Sequence, residues 1–399
     1  MAYPLPAGVS LPLVTMQDVL RAPSVTGMIQ ASTSGVPDNF SRYGFMEPTD
    51  TVPQDVGTYF RVLGTRTTAR AVARNSPSVA RQMKNVEEVP YKAISVAENL
   101  NIPMDKFQHL FSPESSSIAD IVLDTRGKQE IGRQVREAKK NLQNLRVMAV
   151  ASVLAYGAIY FDGYGNLLPS ATGARTTVSF QVPSGNTGQL NCSGGVYGGG
   201  NILNAGWQDI GTDIASQIIQ LKIAAEILTG FPLKHAFYGS AVPKYLTQNT
   251  TLSNYFVRSI TESDGAPRGA APANQQYLRT ADIPSPLLGL EWHPVYTTFY
   301  EDQNGNPQQI FSPGAVVFTP EVDSDWWGWI EGTLLIPGST IIADGQDSLI
   351  DGASQMSGIW GYAKEMDDPF AIKIVYGDTF LPIIKAPKAV FIGQVDTAS

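Results

Sequence analysis

Residues 129–156 read QEIGRQVREAKKNLQNLRVMAVASVLAY, and this stretch carries the strongest periodicity in the chain. Apolar or small side chains fall at Ile131, Val135, Ala138, Leu142, Leu145, Ala149 and Ser152/Val153, spacings of three and four that line one face of an α-helix. Arg133, Arg136, Glu137, Lys139, Lys140 and Arg146 take the opposite face, and Gly157 supplies the stop. Upstream, Ser115-Ser116-Ser117 followed by Asp120 offers oxygen side chains to first-turn N–H groups, while Gly127 and Gly132 soften the first turns. A helix over Gln129–Tyr156 would run about 42 Å at 1.5 Å per residue, where an ordinary globular helix has about 11–12 residues. Such a length predicts a spine on which other elements are laid.

On the N-terminal side of the spine, Tyr59–Leu63 and Val89–Val96 read as strands flanking a polar stretch, 65–85, that is rich in Arg and small residues. The pattern predicts a long hairpin with little to bury, and so one that projects. It carries Arg61, Arg66, Arg70, Arg74, Arg81, Lys84 and Lys92 against Glu87 and Glu88. Residues 1–55 hold no sustained period, and Pro4, Pro6, Pro12, Pro23, Pro37, Pro48 and Pro53 recur too often for a helical domain; the one short helix expected is Met16–Ala22, capped by Thr15. Leu11, Leu13, Val14, Phe40, Tyr43, Phe45 and Met46 make the segment an extended arm docked on another surface rather than a solvated tail.

On the C-terminal side, Ala158–Phe161 and Thr176–Val182 read as strands, and Trp207–Leu228 as a second helix with Ile210, Ile214, Ile218, Leu221, Ala225 and Leu228 on one stripe and Gly230 closing it. His235–Tyr238 reads as a strand, Ala241–Gln248 as a short helix and Gly265–Ala273 as a linker. From Leu290 the chain is β-rich, with strands expected at Trp292–Tyr300, Val316–Thr319, Trp326–Pro337, Ile372–Tyr376, Leu381–Ile384 and Ala389–Val395. No repeat of 20 to 50 residues is present.

The 399 residues suffice for a substantial core without disulfide or zinc staples. The single Cys192 closes no internal disulfide, and three scattered His predict no structural zinc site. No run of about 18 apolar residues is present and the first residues lack a signal-peptide pattern, so a soluble chain in a reducing compartment is expected. Only 16% of residues are charged, which suggests surface covered by other copies of the chain. The net charge of −8 is unevenly spread. From Arg61 to Arg146 there are fifteen basic and nine acidic residues, whereas from Glu262 onward there are six basic and eighteen acidic. A basic hairpin and an acidic C-terminal part suit pairing between copies. No aromatic residue interleaves with the arginines between 64 and 85, which weighs against a nucleic-acid stacking platform there.

Motifs that suggest chemistry read better as structure. Gly194–Gly200 lacks the Lys-Ser/Thr of a phosphate loop and reads as a connector. Asp302–Asn306 alternates oxygen side chains, but Pro307 stands where a calcium loop needs Gly, and Asn304-Gly305 between strands reads as a hairpin turn. Gly239-Ser240 lacks the first Gly of a nucleophile elbow, and His109, His235 and His293 sit in separate segments with no carboxylate signature beside them. Asp367-Asp368 followed by Pro369 could be paired acids or a metal site, and a turn or helix start fits as well. Trp326-Trp327-Gly328-Trp329 reads as a packing or subunit-contact cluster. No catalytic residue, cofactor or metal site is predicted; the subunit-interface candidates are Arg66, Arg70, Arg74, Arg81, Lys84, Trp326, Trp327 and Trp329.

Arm, projecting hairpin, spine helix, mixed body and late β return occur in an order that resembles a known family. The segment Gly132–Gly157, the turn Asp162-Gly163-Tyr164-Gly165-Asn166, Trp207-Gln208-Asp209-Ile210 with its helix and Gly239-Ser240, and Leu290–Pro313 with Tyr296, Tyr300, Asp302 and Gly305 each look like their family counterparts. So does the closing run Gly358-Ile359-Trp360-Gly361-Tyr362, Asp367-Asp368-Pro369, Leu381-Pro382 and Pro387–Val395. The chain resembles the tailed-bacteriophage major capsid proteins of the lambda-like capsid protein E family, from about residue 30 to 396. The resemblance implies an α+β, Hong Kong 97-type capsid fold: residues 1–55 as N-terminal arm, 56–112 as E-loop, 113–199 as P-domain with the spine helix, 200–287 as the first part of an A-domain, 288–340 as P-domain return strands and 341–399 as the C-terminal part of the A-domain. It implies a structural protein of the virion, assembling into hexamers and pentamers of an icosahedral shell around double-stranded DNA, with portal, scaffolding and decoration proteins as partners and no membrane. An encapsulin-like compartment of the same fold stays open beside it, as does, from a different class, a hydrolase using Ser240 and His235.

Overall fold

The computed structural model describes residues 29, 39–52, 56–62, 86–103, 125–163, 167–168, 170–188, 190, 202–203, 206–252, 287–295, 299–301, 307–336, 354–367 and 370–396. In chain order the elements are helix α1 (Asn39–Arg42), strands β1 (Asp50–Val52), β2 (Val56–Val62), β3 (Val86–Lys92) and β4 (Ile94–Pro103), helix α2 (Thr125–Tyr156), strands β5 (Ala158–Phe161), β6 (Leu167–Leu168), β7 (Thr176–Ser179) and β8 (Thr187–Gly188), and helix α3 (Ile214–Thr229). There follow β9 (Leu233–Tyr238), α4 (Val242–Gln248), β10 (Glu291–Pro294), β11 (Phe299–Glu301), β12 (Pro307–Gln309), β13 (Ala315–Pro320), β14 (Trp327–Ile336), β15 (Ser354–Ser357), β16 (Trp360–Asp367), β17 (Phe370–Ile384) and β18 (Phe391–Gln394). The architecture is mixed α+β. The expected helix Met16–Ala22, the serine run at 115–117, the linker 265–273 and the glycine run 194–200 lie outside the described residues.

The spine starts four residues earlier than its periodicity predicts and spans 32 residues, about 48 Å. It ends where expected: Gly157 takes φ +62° and its N–H bonds the Val153 carbonyl at 2.8 Å. Val135, Ala138, Leu142, Ala149, Ser152 and Val153 are buried, as their spacing predicts. The last turns go further, with Val147, Val150, Ala151 and Leu154 also buried, so residues 149–155 are enclosed all round and only the terminal Tyr156 is exposed. Arg146 corrects the sequence reading. It is not on a solvated face but buried, its guanidinium forked onto Asp378 (Nε–Oδ2 2.5 Å, Nη2–Oδ1 2.8 Å), with Glu331 Oε1 3.3 Å from Nη2. Burial alone would lower its pKa; the two carboxylates outweigh that and hold it above the usual arginine value. Trp329 and Phe380 stack on each other at 5.0 Å, and the guanidinium lies 5.3 Å and 5.7 Å from their ring centroids.

Asp378 and Glu331 belong to a six-stranded sheet built on β17, a single 15-residue strand where two shorter ones were expected. One edge of β17 pairs with β4 over ten residues, Ala371↔Pro103 to Phe380↔Ile94; the other pairs first with β16 and then with β14. Asp367 pairs with Phe370, which fits the turn reading of Asp367-Asp368-Pro369 rather than a helix start; residues 368 and 369 themselves lie outside the described residues. Strand β1 joins β14 in parallel, and Phe40, Phe45 and Met46 just before it are buried in the same core. The described part of the N-terminal segment is therefore docked on its own subunit.

A five-stranded sheet, ordered β10-β9-β13-β18-β8, forms the second body, with α3 packed on it. Asp213 caps α3 by accepting the Ser216 N–H, and Gly230 at φ +82° closes it. The helix is shorter than expected: Trp207 lies ahead of it and Ile210 is exposed, while Ile214, Ile218, Leu221 and Ala225 are buried as predicted. The blocks 288–340 and 341–399 each divide between the two sheets, because β10, β13 and β18 serve the five-stranded one and β14, β16 and β17 the six-stranded one. Neither block is a body of its own. The strand expected over Trp292–Tyr300 is two strands, and β11–β12 form the hairpin expected around Asn304-Gly305. Among the described residues no helix is long and apolar enough to cross a membrane.

Candidate assembly surface

The predicted hairpin is the antiparallel ribbon β2–β3, in register from Val56↔Lys92 to Val62↔Val86. Alternation along β2 separates two faces. Tyr59 and Arg61 turn inward and are buried, as is Tyr91 of β3 on the same face, and Tyr59 and Tyr91 join the core under the spine. The Val62 N–H bonds the Lys385 carbonyl at 2.7 Å, which ties the ribbon to the end of β17. Arg61 pairs with Glu87 at 2.5 Å. The outward face carries Val56 (57% exposed), Phe60 (65%), Val62 (40%) and, from β3, Val86 (46%). Four large apolar groups on one face of a two-stranded ribbon form a surface that water disfavours. A two-stranded ribbon is in any case marginal on its own.

The five-stranded body offers a second bare surface. On α3, Ile219, Ile223 and Ile227 are all exposed and follow one another at i, i+4, i+8 along a stripe turned away from the sheet. Sequence reading picked out the buried stripe of this helix and missed the other, although the four-residue isoleucine spacing is visible in the sequence.

Of the sequence-predicted interface residues, Arg66, Arg70, Arg74, Arg81 and Lys84 fall in 63–85, outside the described residues. The tryptophans correct the expectation. Trp326, Trp327 and Trp329 are fully buried in the subunit's own core, around Phe45 and Phe380, so none is presented to a neighbouring copy. Their packing role, the other half of that expectation, is what the structure shows. Trp326 Nε1–H donates to the Glu321 carbonyl (2.7 Å) and Trp327 Nε1–H to the Phe45 carbonyl (2.9 Å), so both indoles are buried with their polar edge satisfied.

The residues proposed for a hydrolase do not meet. The Ser240 hydroxyl donates to Gln309 Oε1 at 3.3 Å on the exposed end of the sheet, whereas His235 is buried and its Nδ1 lies 3.1 Å from His293 Nε2. Without a hydroxyl–imidazole contact this pair cannot work as nucleophile and base. The histidines themselves correct a second expectation, that they stand apart with no carboxylate beside them. His235 and His293, 58 residues apart, sit on neighbouring strands, with Glu291 Oε2 3.5 Å from His235 Nδ1. Tyr43 covers them, its ring centroid 4.0 Å from that of His293 and 5.2 Å from that of His235. Burial, reinforced by His235 and by the Arg42 charge, pushes the His293 pKa down to about 3, and burial also lowers that of His235. Both imidazoles are therefore neutral near neutral pH. The sequence signal that could have found the cluster is Glu291-Trp292-His293, whose alternate residues share one face of a strand.

No protein family matches the sequence, and no curated protein is similar to it. Solved structures do align with the fold. The protein assigned as the capsid protein of a prophage of E. coli CFT073 superposes with a TM-score of 0.50 and 12% identity, over 94% of this chain and 99% of that one. A phage-related protein from Bordetella bronchiseptica (TM-score 0.42, 11% identity, 94% and 97% covered) and a protein of Gordonia phage Cozz (0.44, 11%, 100% and 99%) align more loosely. At such identities the likeness is one of fold, and it rests on the first of the three.

Proposed function

We propose that this chain is the shell-forming subunit of a tailed-phage head, a structural protein rather than an enzyme, assembling into hexamers and pentamers of an icosahedral shell that encloses double-stranded DNA. The observation that carries this reading is the outward apolar face of the β2–β3 ribbon, on a fold that aligns over nearly its whole length with a prophage capsid protein. Surface that cannot be buried within one copy is buried between copies, and a closed symmetric shell is one way to leave none of it bare. In Hong Kong 97 terms the ribbon corresponds to the E-loop laid over a neighbour, α2 to the spine of the P-domain, and the five-stranded body with α3 to the A-domain, whose isoleucine stripe would meet the next subunit of a capsomer. Arg66, Arg70, Arg74, Arg81 and Lys84, in the sequence between β2 and β3, would pair with acidic surface of an adjacent copy. Portal, scaffolding and decoration proteins would be its further partners, and the virion its location. A net charge of −8 suits a wall that contains a polyanion without gripping it.

The test is electron microscopy and sedimentation of the full chain, alone and with its scaffolding partner. Closed particles are expected, and a compact monomer under every condition refutes the shell. Neutralising Arg66, Arg70, Arg74 and Arg81 together, or adding salt, should weaken assembly. Particles that form unchanged would leave the shell standing and remove the charge pairing. Particles filled with an enzyme instead of DNA would turn the reading toward a protein compartment.

A further inference from the structure

The buried cluster beneath Tyr43 belongs to neither the β2–β3 ribbon nor the isoleucine stripe of α3. Strands β9 and β10 run parallel with Glu291 opposite His235 and His293 opposite Phe237, so Glu291 and His293, two residues apart, share the face on which His235 lies. Each of the three side chains offers one donor atom, and these atoms all lie within 4.8 Å of one another. The two resolved separations are 3.1 Å between the imidazole nitrogens and 3.5 Å from His235 Nδ1 to Glu291 Oε2. A tetrahedral zinc ion with bonds of about 2.0–2.1 Å holds adjacent donors about 3.3 Å apart. We propose that His235 Nδ1, His293 Nε2 and a Glu291 carboxylate oxygen form a site for one divalent transition-metal cation of the zinc class per subunit.

Hydrogen-bonding arithmetic points the same way. Without a cation, His235 Nδ1 faces both His293 Nε2 and a carboxylate oxygen, and it can carry only one hydrogen. A cation satisfies all three lone pairs at once. Two imidazoles and one carboxylate are a borderline donor set that suits zinc, and Ca²⁺ or Mg²⁺ would require more oxygens. Both histidines are buried, so the protein shields the imidazole side of the site from bulk water. Tyr43 shields one side, while the partly exposed Glu291 marks the open side, by which an ion would enter and a water complete the coordination. Two cations stand nearby. Lys234 is held by Glu321 at 2.6 Å, and Arg42 lies over the Tyr43 ring, 5.7 Å from its centroid. A bound ion would clamp β10, the edge strand, onto β9 at the place where the N-terminal segment packs.

The test uses the unassembled full chain, stripped with chelator and dialysed, then titrated with Zn²⁺ in a calorimeter and with Co²⁺ in a spectrophotometer. One saturable equivalent per chain is expected, with the visible band of tetrahedral cobalt, displaced by zinc. Glu291→Gln and His293→Gln should each weaken binding at least tenfold, and His109→Gln should leave it unchanged. Glu291 is partly exposed, so its variant keeps the test valid if His293→Gln fails to fold; circular dichroism checks both. No saturable binding would mean that a plain His–His hydrogen bond occupies the cluster. Binding unaffected by either variant would mean surface ions only. Either result overturns the site.

Discussion

Replacing Phe60 by Ser should separate assembly from folding. Phe60 is 65% exposed on the outward face of β2, so in the lone subunit its ring contributes little, and such a surface substitution should change stability by no more than about 0.5 kcal/mol. Burying a whole Phe side chain is worth about 1.5–3 kcal/mol. The part still exposed here would release about 1–2 kcal/mol when a neighbour covers it, and that is a factor of about 5–30 in an equilibrium constant. Every subunit in a shell contributes one ribbon, so each pays the loss at least once. The subunit concentration at which half the protein is assembled, followed by sedimentation velocity, should therefore rise about 5- to 30-fold, with the urea midpoint of the unassembled subunit unmoved. Tyr59, one residue earlier and turned inward, should behave in the opposite way: Tyr59→Ser lowers the urea midpoint of the subunit itself. An unchanged assembly threshold in well-folded Phe60→Ser would refute the outward face as a docking surface.

Other perturbations probe the frame that holds the ribbon. Asp378→Asn leaves the Arg146 charge buried with Glu331 as its remaining carboxylate, so a loss of about 3 kcal/mol is expected in urea unfolding, the lower end for breaking a buried pair; a loss under about 1 kcal/mol would show that the network is not needed for stability. Tyr376 donates to Glu98 at 2.7 Å, and burial together with that carboxylate pushes its pKa up to about 12 from 10.0. Its folded value lies above its unfolded one, so its contribution is complete below pH 10 and disappears as the pH rises toward 12. Tyr376→Phe should flatten that alkaline arm of the stability curve, and an unaltered arm assigns it to other groups. A Cβ on Gly377 would collide with the Val96 carbonyl oxygen and the Trp360 ring, so Gly377→Ala should prevent β4 from pairing with β17 and give mostly insoluble chain on expression. Soluble protein with the native urea midpoint would contradict that packing.

The spine, the ribbon and the second helix were legible because each obeys a local period: Val135, Ala138, Leu142 and Ala149 in one case, the in–out alternation of Tyr59, Phe60 and Arg61 in another. The six-stranded sheet was not legible. Its central strand, β17, is buried from Tyr376 to Ile384, polar Asp378 and Thr379 included, so no in–out period marks it, and its partner β4 lies more than 250 residues earlier in the chain. Arg146 misled through its charge rather than its place, since it stands four residues after Leu142 and three before Ala149, beside the buried stripe, and the Asp378 and Glu331 that make its burial tolerable arrive from distant strands. The tryptophans misled because an aromatic cluster reads alike whether its cover is a neighbouring copy or Phe45 from the same chain. The histidine cluster needed the parallel register of β9 and β10, which no spacing within either strand reveals.

The root of the ribbon also has a mechanical meaning. With only Ala93 between them, β3 leads into β4, which is held to β17 by ten successive residue pairs, Ile94↔Phe380 through Pro103↔Ala371. Hydrogen bonds in such a ladder lie across the strands, so a pull on the ribbon directed along β4 strains the whole row together instead of peeling it one bond at a time. In a closed shell, where internal pressure becomes tension between neighbouring subunits, the ribbon would behave as a tie-rod with a shear-loaded anchor.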